Sequence, residues 1–259
     1  MLKAFYSSAT GMRAQELLID NTANNLANVN TTGFKKKHMN FADLIYDNLK
    51  AAGATQANNQ VVPVGLQIGS GVRAVGTTSV FSQGTPTETG IDTHMMIEGD
   101  GFFKVAYGDG FAYTRDGSFV PNDQGQLVNG DGYLLDPQIT IPTEATEISI
   151  SQSGIVSFRV NGVQTTGPTI ELARFANPAG LQNLGGNLFA ETAASGPETL
   201  GAPETAGFGQ LRQRFLEGAN VEVVGELVSL ITAQRAYEIN SRAIRAGDEM
   251  LSTASDLVR

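Results

Sequence analysis

Side-chain amides are the chemistry this sequence concentrates. Asn21, Asn24, Asn25, Asn28 and Asn30 crowd into one short stretch, and an uncharged amide both donates and accepts hydrogen bonds. Many identical chains can therefore stack such groups without like-charge repulsion. Leu17, Asn21, Asn24 and Asn28 stand at steps of four, three and four, which places them along one face of a helix. Asparagine is a mediocre helix former, because its amide competes for the backbone. Two readings stay open: a solvated polar row, or an interhelical ladder in which buried amides give up stability to fix register and partner number. A second stretch, 233–241, carries Gln234, Arg235, Tyr237, Glu238 and Asn240. Gln234 and Tyr237 fall on an apolar stripe, where their polar tips need partners. The asparagines of the first helix, or of a neighbouring subunit, are the candidates. Glu238 and Arg242 add an i,i+4 pair worth only about 0.2–0.5 kcal/mol.

Patterns that would support catalysis or metal binding are weak by comparison. The two histidines, His38 and His94, sit in unrelated contexts with no spaced ligand set, and a ligand or triad role needs convergent partners. There is no G-x-S-x-G and no Walker-type Gly-Lys-Ser/Thr. Gly69-Ser70-Gly71-Val72-Arg73-Ala74 matches a loose dinucleotide fingerprint, but strand and turn material follows where a helix would have to open. A glycine-rich bend between strands is the better reading. Asn129-Gly130-Asp131-Gly132 lacks the order of an EF-hand loop and reads as a turn. No pair of carboxylates is favoured by spacing for glycoside cleavage. The expectation is a chain with no catalytic site, no metal and no cofactor.

The elements that position the amides lie at the two ends. Over about residues 1–28, Phe5, Ala9, Met12, Ile19, Ala23 and Leu26 recur at helical steps, with Glu16 as the polar member of the row. Thr31, Thr32 and Gly33 supply a stop. Near the other end, Val223, Leu227, Leu230, Gln234, Tyr237, Ser241, Ile244, Asp248, Leu251, Ser255 and Val258 alternate steps of four and three, and Val224, Val228 and Ile231 widen the row. Asn220 is placed to cap this helix and Glu222 to face its positive end. A helix of about 38 residues would run near 57 Å, longer than a compact domain shelters. Gly225 and Gly247 each cost about 1 kcal/mol relative to alanine, so packing must hold it.

Between the helices the pattern is β. Residues 101–107 and 111–114 alternate about a Gly108-Asp109-Gly110 turn, and Asp116-Gly117, Asn122-Asp123, Asn129-Gly130 and Asp131-Gly132 follow at hairpin spacing. Further strands are predicted over 147–150, 155–160 and 169–175, and 195–209 reads as a connector. Residues 48–71, with Pro63 and alternating Val62, Val64, Leu66 and Ile68, read as an extended arm or a long hairpin. The fold class is α+β: long terminal helices pairing in coiled-coil fashion, a central all-β domain, and the arm. The boundaries are 1–45 with 210–259 for the helical assembly domain, 46–80 for the arm and 81–209 for the β-rich domain.

Composition narrows the function. A formal charge of −9 argues against a nucleic-acid partner, and the one basic run, Lys35-Lys36-Lys37, reads as a solvated face. The absence of cysteine removes disulfides and thiolate chemistry. Leu17-Leu18-Ile19 is too short for the apolar core of a signal peptide. The expected compartment is the cytoplasm, or one reached by a route without a cleaved signal.

The same residues carry a family resemblance. Ala23-Asn24-Asn25-Leu26-Ala27-Asn28-Val29-Asn30-Thr31-Thr32-Gly33-Phe34-Lys35 resembles the signature of the bacterial flagellar basal-body rod and hook proteins. Glu226-Leu227-Val228 and 233–241 are similar to that family's closing helix, and 97–103 and 113–119 to its β-domain. Length and the 63–73 segment are most similar to the family's distal-rod branch. The resemblance implies a structural subunit that polymerises helically into a rigid tube, with paired helices inside and the β-domain outside. It would transmit torque from motor to hook and let exported proteins pass. Implied partners are further copies of the chain, proximal rod proteins, the hook protein, the periplasmic and outer-membrane rings, and the flagellar type III export apparatus. Nucleic acid and small-molecule substrates are not among them. The implied place is the basal body, in a rod crossing the periplasm. Self-assembly falls to Asn21, Asn24, Asn25, Leu26, Asn28, Asn30, Gly33 and Phe34 at one end. At the other it falls to Leu227, Leu230, Gln234, Arg235, Tyr237, Glu238, Asn240, Ile244 and Leu251. The alternatives are a proximal rod or hook subunit of the same family, or an acidic periplasmic enzyme or sugar-binding β-protein with convergent carboxylates in a polar cleft.

Overall fold

The computed structural model describes residues 2–50, 53, 64–160 and 162–257. Val62 and Pro63 of the expected arm and Val258 of the closing stripe lie outside the described residues. The order of elements is helix, many short strands, helix, so the class is α+β with a strand-rich centre. The first helix, α1, spans Leu2–Ala27. It ends where the main chain turns: Thr31 N donates to Asn28 O and Phe34 N to Thr31 O, and Gly33 takes a φ of +68°.

The last helix, α2, spans Val223–Leu257, about 52 Å at 1.5 Å per residue. It begins after the expected cap. Asn220 does not cap it: its Oδ1 accepts from Lys36 N at 2.7 Å and its Nδ2 donates to Val80 O at 2.7 Å. The side chain is already saturated by extended chain, and the acid in the first turn of α2 is Glu226, not Glu222.

The chain divides into two compact units. The first takes in the described residues of 1–26, 37–78 and 223–259, and the second 27–36 and 79–222. Besides the helices, the first unit holds two strand pairs. Lys37–Asp43 pairs with Val72–Ser79, and Tyr46–Lys50 pairs antiparallel with Leu66–Gly69, Tyr46 opposite Gly69 and Asn48 opposite Gln67. Ser70 and Gly71 make the bend between two of these strands. Gly71, at φ +114°, lies so close to Thr10 of α1 that a Cβ there would stand 2.2 Å from its Oγ1. The glycine-rich stretch is therefore a packing device.

In the second unit, the largest sheet runs in the order Gln182–Gly185, Leu188–Ala190, Gly110–Thr114, Phe102–Tyr107, Leu172–Arg174, Thr199–Gly201, and Leu135–Asp136 also pairs with Phe102–Tyr107. Successive side chains of a strand point to opposite faces, and both faces are covered. Phe103 and Val105 enter a core with Met95, Ile97, Phe119, Leu127, Ile139 and Leu172, while Phe102 packs with Tyr113, Phe175, Leu181 and Phe189. A second antiparallel sheet joins Ala145–Ile150, Ile155–Val160 and Val163–Thr169. The 195–209 segment is not all connector. Thr199–Gly201 forms an edge strand on Leu172–Arg174, because a Gly-Pro-Thr composition conceals three residues of ladder. The Asn turns behave as read: Asn122 Oδ1 accepts from Gln124 N and Gln126 N, and Asn129 Oδ1 from Asp131 N and Tyr133 N.

Candidate assembly surface

Three contacts fix how α1 and α2 meet within the first unit. A Cβ on Gly247 would lie 2.7 Å from the Phe5 ring, one on Gly11 would lie 3.1 Å from Asn240 Nδ2, and Asn25 Nδ2 stands 3.3 Å from Glu226 Oε2. As one number rises the other falls, so the helices run in opposite directions. The positions buried along this contact are small or polar: Ala14, Thr22 and Asn25 on α1, Ala233 and Gly247 on α2. Gly247 weakens the helix by propensity, and its missing side chain is what admits the Phe5 ring.

The inward row of α2 is thus Glu226, Leu230, Ala233, Asn240, Ile244 and Gly247, which shares Leu230 and Ile244 with the row hydropathy picks out and otherwise lies one position before it. Leu230, Asn240 and Ile244 are half-buried, whereas Leu227, Gln234, Arg235, Tyr237, Glu238 and Leu251 are exposed. Close approach of two backbones selects small side chains, and apolar periodicity alone does not see that requirement. On α1 the same holds: Ala9, Glu16 and Ala23 of the expected row are exposed. The outside of α2 is polar over much of its length, but its first turns expose an apolar stripe. Val224, Leu227, Val228, Ile231 and Ile239 stay in solvent, Val224 at 69% and Val228 at 58% of full exposure. Each such side chain is worth about 1.5–3 kcal/mol when fully buried.

The amides divide between roles. Asn25 is buried and clamps the main chain of Lys37 from both sides, Nδ2 donating to Lys37 O and Oδ1 accepting from Lys37 N, each at 3.0 Å. Asn21 Nδ2 donates to the same carbonyl at 2.8 Å. These two amides staple α1 to the strand that follows it, a partner the helical spacing could not reveal. Leu26 and Asn28 are half-buried, and Asn28 Oδ1 accepts from Thr31 Oγ1 at 3.2 Å. Asn24 and Asn30 are exposed. Glu238 and Arg242 meet at 3.7 Å, both exposed, a pair of little consequence. Asn25→Leu will leave Lys37 N and O without these partners at a cost of about 2–4 kcal/mol. Hydrogen exchange should show lost protection in 10–27 and 37–43 and unchanged protection in 102–114; equal protection in both would refute the staple.

The second unit holds a site that sequence reading missed. Lys35 is not on a solvated face. Its Nζ, fully buried, stands 2.5 Å from Glu217 Oε1 and donates to Ser82 O at 2.7 Å. Glu217 Oε1 also accepts from Gly84 N at 2.9 Å. Arg115 Nη1 lies 3.5 Å from Glu217 Oε2, with its guanidinium over the Phe102 ring. Burial holds the Lys35 ammonium below its ordinary pKa, and Glu217 opposes that shift. Gly33 N donates to Glu217 O at 2.7 Å, alongside the Asn220 bonds to Lys36 and Val80. Gly33 and Phe34, past the end of α1, thus take part in a clasp of main chain. The signal in the sequence is Phe215-Leu216-Glu217-Gly218-Ala219, an acid among apolar and small neighbours.

Chemistry of other kinds is sparse. His94 Nδ1 lies 3.0 Å from Thr89 Oγ1, with burial lowering its pKa. Among the described residues no three or more His, Asp or Glu gather as metal ligands.

Known proteins give the geometry a context. Three family profiles match: flagella basal body rod protein over residues 5–35, flagellar hook protein FlgE/F/G D1 domain over 96–158, and flagellar basal body rod FlgEFG protein C-terminal over 212–257. The chain is 46% identical to the flagellar basal-body rod protein FlgG of Caulobacter vibrioides over 99% of each chain. It is 46% identical to FlgG of Borreliella burgdorferi over 100% of each, and 42% identical to that of Agrobacterium fabrum over 98% of each.

Proposed function

Since this chain belongs to the flagellar basal-body rod protein family, we propose that it polymerises helically into the distal rod through its two terminal helices. It is a structural subunit of the basal body and performs no catalysis. The observation that carries the reading is the division of α2 into two faces. Small and polar residues, with Leu230 and Ile244 among them, turn toward α1, while Val224, Leu227, Val228 and Ile231 stay in water. An isolated chain gains nothing from that exposed stripe, and a row of this kind at helical spacing suits burial against further helices.

In this reading the helices pair in coiled-coil fashion to line an inner tube, and residues 81–209 form an outer domain. The strand pairs near 46–80 form an arm that braces neighbouring copies. The exposed members of the expected assembly set, Asn24, Asn30, Leu227, Gln234, Arg235, Tyr237, Glu238 and Leu251, face those copies. Proximal rod and hook proteins meet the two ends of the polymer. Ring proteins surround the rod as it crosses the periplasm, and the flagellar export apparatus delivers the chain without a cleaved signal. Full-length similarity to rod proteins favours this over a hook subunit.

Val228→Asp with Ile231→Asp tests the reading. Surface changes of this kind shift folding stability by only about 0.5 kcal/mol, so the melting of the dilute chain should be unchanged. Pelletable polymer should vanish, and basal bodies from cells carrying only this variant should lack the distal rod by electron microscopy. Normal rods would refute the proposal.

A further inference from the structure

Packing α1 against the strand pairs leaves a groove of about 360 Å³ inside the first unit, with walls that include Tyr6, Arg13 and Leu17 of α1 and Leu44, Val72 and Arg73 opposite. Tyr6 is 59% exposed and Leu17 37%. Arg13 and Arg73 are exposed and have no ionic partner among the described residues. The lining contains no carboxylate. In a chain of net charge −9, a partly apolar groove with two cations and no anion is a local exception.

The same unit carries a complementary element. The numbers of the helix contacts, 5 with 247, 11 with 240 and 25 with 226, add in each case to 251 or 252. At that register α1 is exhausted near residue 250, and the closing turns of α2, through Leu257, outrun it by about 10 Å. Glu249, Met250, Thr253 and Asp256 fall at steps of one, three and three, so they share a helical face. All four are exposed, and neither acid has an ionic partner among the described residues. Anion, thioether, methyl and anion on the helix match cations flanking a tyrosine and a leucine in the groove.

We propose that the closing turns of α2 from one copy dock in the Arg13–Arg73 groove of the next. The inference rests on the polymeric reading above and names one of its contacts. Tail and groove are different surfaces of the same chain, so the contact is heterologous, and repeated contacts that do not close into a ring generate an open helical filament. Positively charged groove and negatively charged tail also set the direction of addition, since tail-to-tail and groove-to-groove encounters bring like charges together.

The test uses full-length chain and a pelleting assay of polymer. Single exposed ion pairs are weak, so two are reversed at once. Arg13→Glu with Arg73→Glu, and separately Glu249→Arg with Asp256→Arg, should each raise the concentration needed for polymer by about tenfold. The four changes together should restore it to within about threefold of the native chain. A chain without cysteine allows a second measurement. Tyr6→Cys and Met250→Cys variants, mixed under polymerising conditions and oxidised, should give the mixed disulfide dimer in excess over either like dimer. Native-like polymer from both reversed pairs, no rescue by the fourfold change, or no mixed dimer would overturn this contact while leaving the polymeric reading intact. Failure of the native chain to polymerise at all would sink that reading instead.

Discussion

Gly33→Ala will lower the melting temperature of the strand-rich unit by about 10 °C. At φ +68° an alanine is held in a left-handed backbone, at a cost of about 1–2 kcal/mol. The greater penalty is steric: a Cβ there would stand 2.6 Å from Asp116 N and 2.7 Å from Arg115 C. Both are main-chain atoms, so no flexible side chain can swing aside. To make room, residue 33 must retreat from the hairpin end, and its N–H then leaves the 2.7 Å bond to Glu217 O. Together these raise the expected cost to about 3–5 kcal/mol, within the range seen for buried backbone conflicts. The near-ultraviolet circular dichroism of Tyr113 and Tyr133 reports this unit. Melting within about 2 °C of the native chain would show that the turn relaxes without strain.

How much of this is legible in the sequence depends on what each position answers to. Helices at both ends follow from apolar periodicity, and the hairpins from Asn-Gly and Asp-Gly turns, because both signals are local. Hydropathy finds only part of the row by which α1 and α2 touch, Leu230 and Ile244 among it: Gly11 and Gly247 are chosen for what they omit, and an absent side chain has no hydropathy. Asn25 stands out in the sequence as unusual, yet its partner, the Lys37 main chain, depends on where the following strand turns back. Lys35 and Asn220 mislead for a common reason. Each has an ordinary local explanation, a basic run and a helix cap, and each is captured by segments about 45 to 180 residues away. Glu217 offers a fainter clue in its apolar neighbours. Long-range polar capture is set by topology, which composition does not encode.

That capture falls where the chain changes unit. The chain passes between its two compact units four times. Three of the passages, after Lys36, after Thr78 and after Glu222, lie within a few residues of the Asn220 and Lys35 bonds. All of these bonds lie within the strand-rich unit, so they gather its entering and leaving segments at one place.

Glu217→Gln therefore carries the second large effect. Its carboxylate is the counter-charge that approaches both Lys35 and Arg115 in the clasp, at 2.5 and 3.5 Å. Removing one partner of a buried ionic site costs about 3–5 kcal/mol, because the remaining charges stay desolvated. The sign of the pH dependence identifies the cause. Burial lowers the Lys35 pKa from 10.5, and the Glu217 charge and hydrogen bond raise it in part. A folded pKa below the unfolded one means that the unfolded chain binds more protons in between, so stability rises with pH through that window. Without the carboxylate the folded value falls further and the window widens downward. The variant should be much less stable than the native chain near pH 7 and should recover as pH rises toward the ordinary lysine value of 10.5, since burial favours the neutral amine in the folded state. Lys35→Met in the Glu217→Gln background should restore part of the loss and flatten the pH dependence, since an apolar side chain replaces a buried ion at little cost. Denaturant titrations of the four chains across this pH range give the coupling directly. Parallel pH profiles for the native chain and Glu217→Gln would mean that the clasp holds by packing alone, and that its charges are incidental.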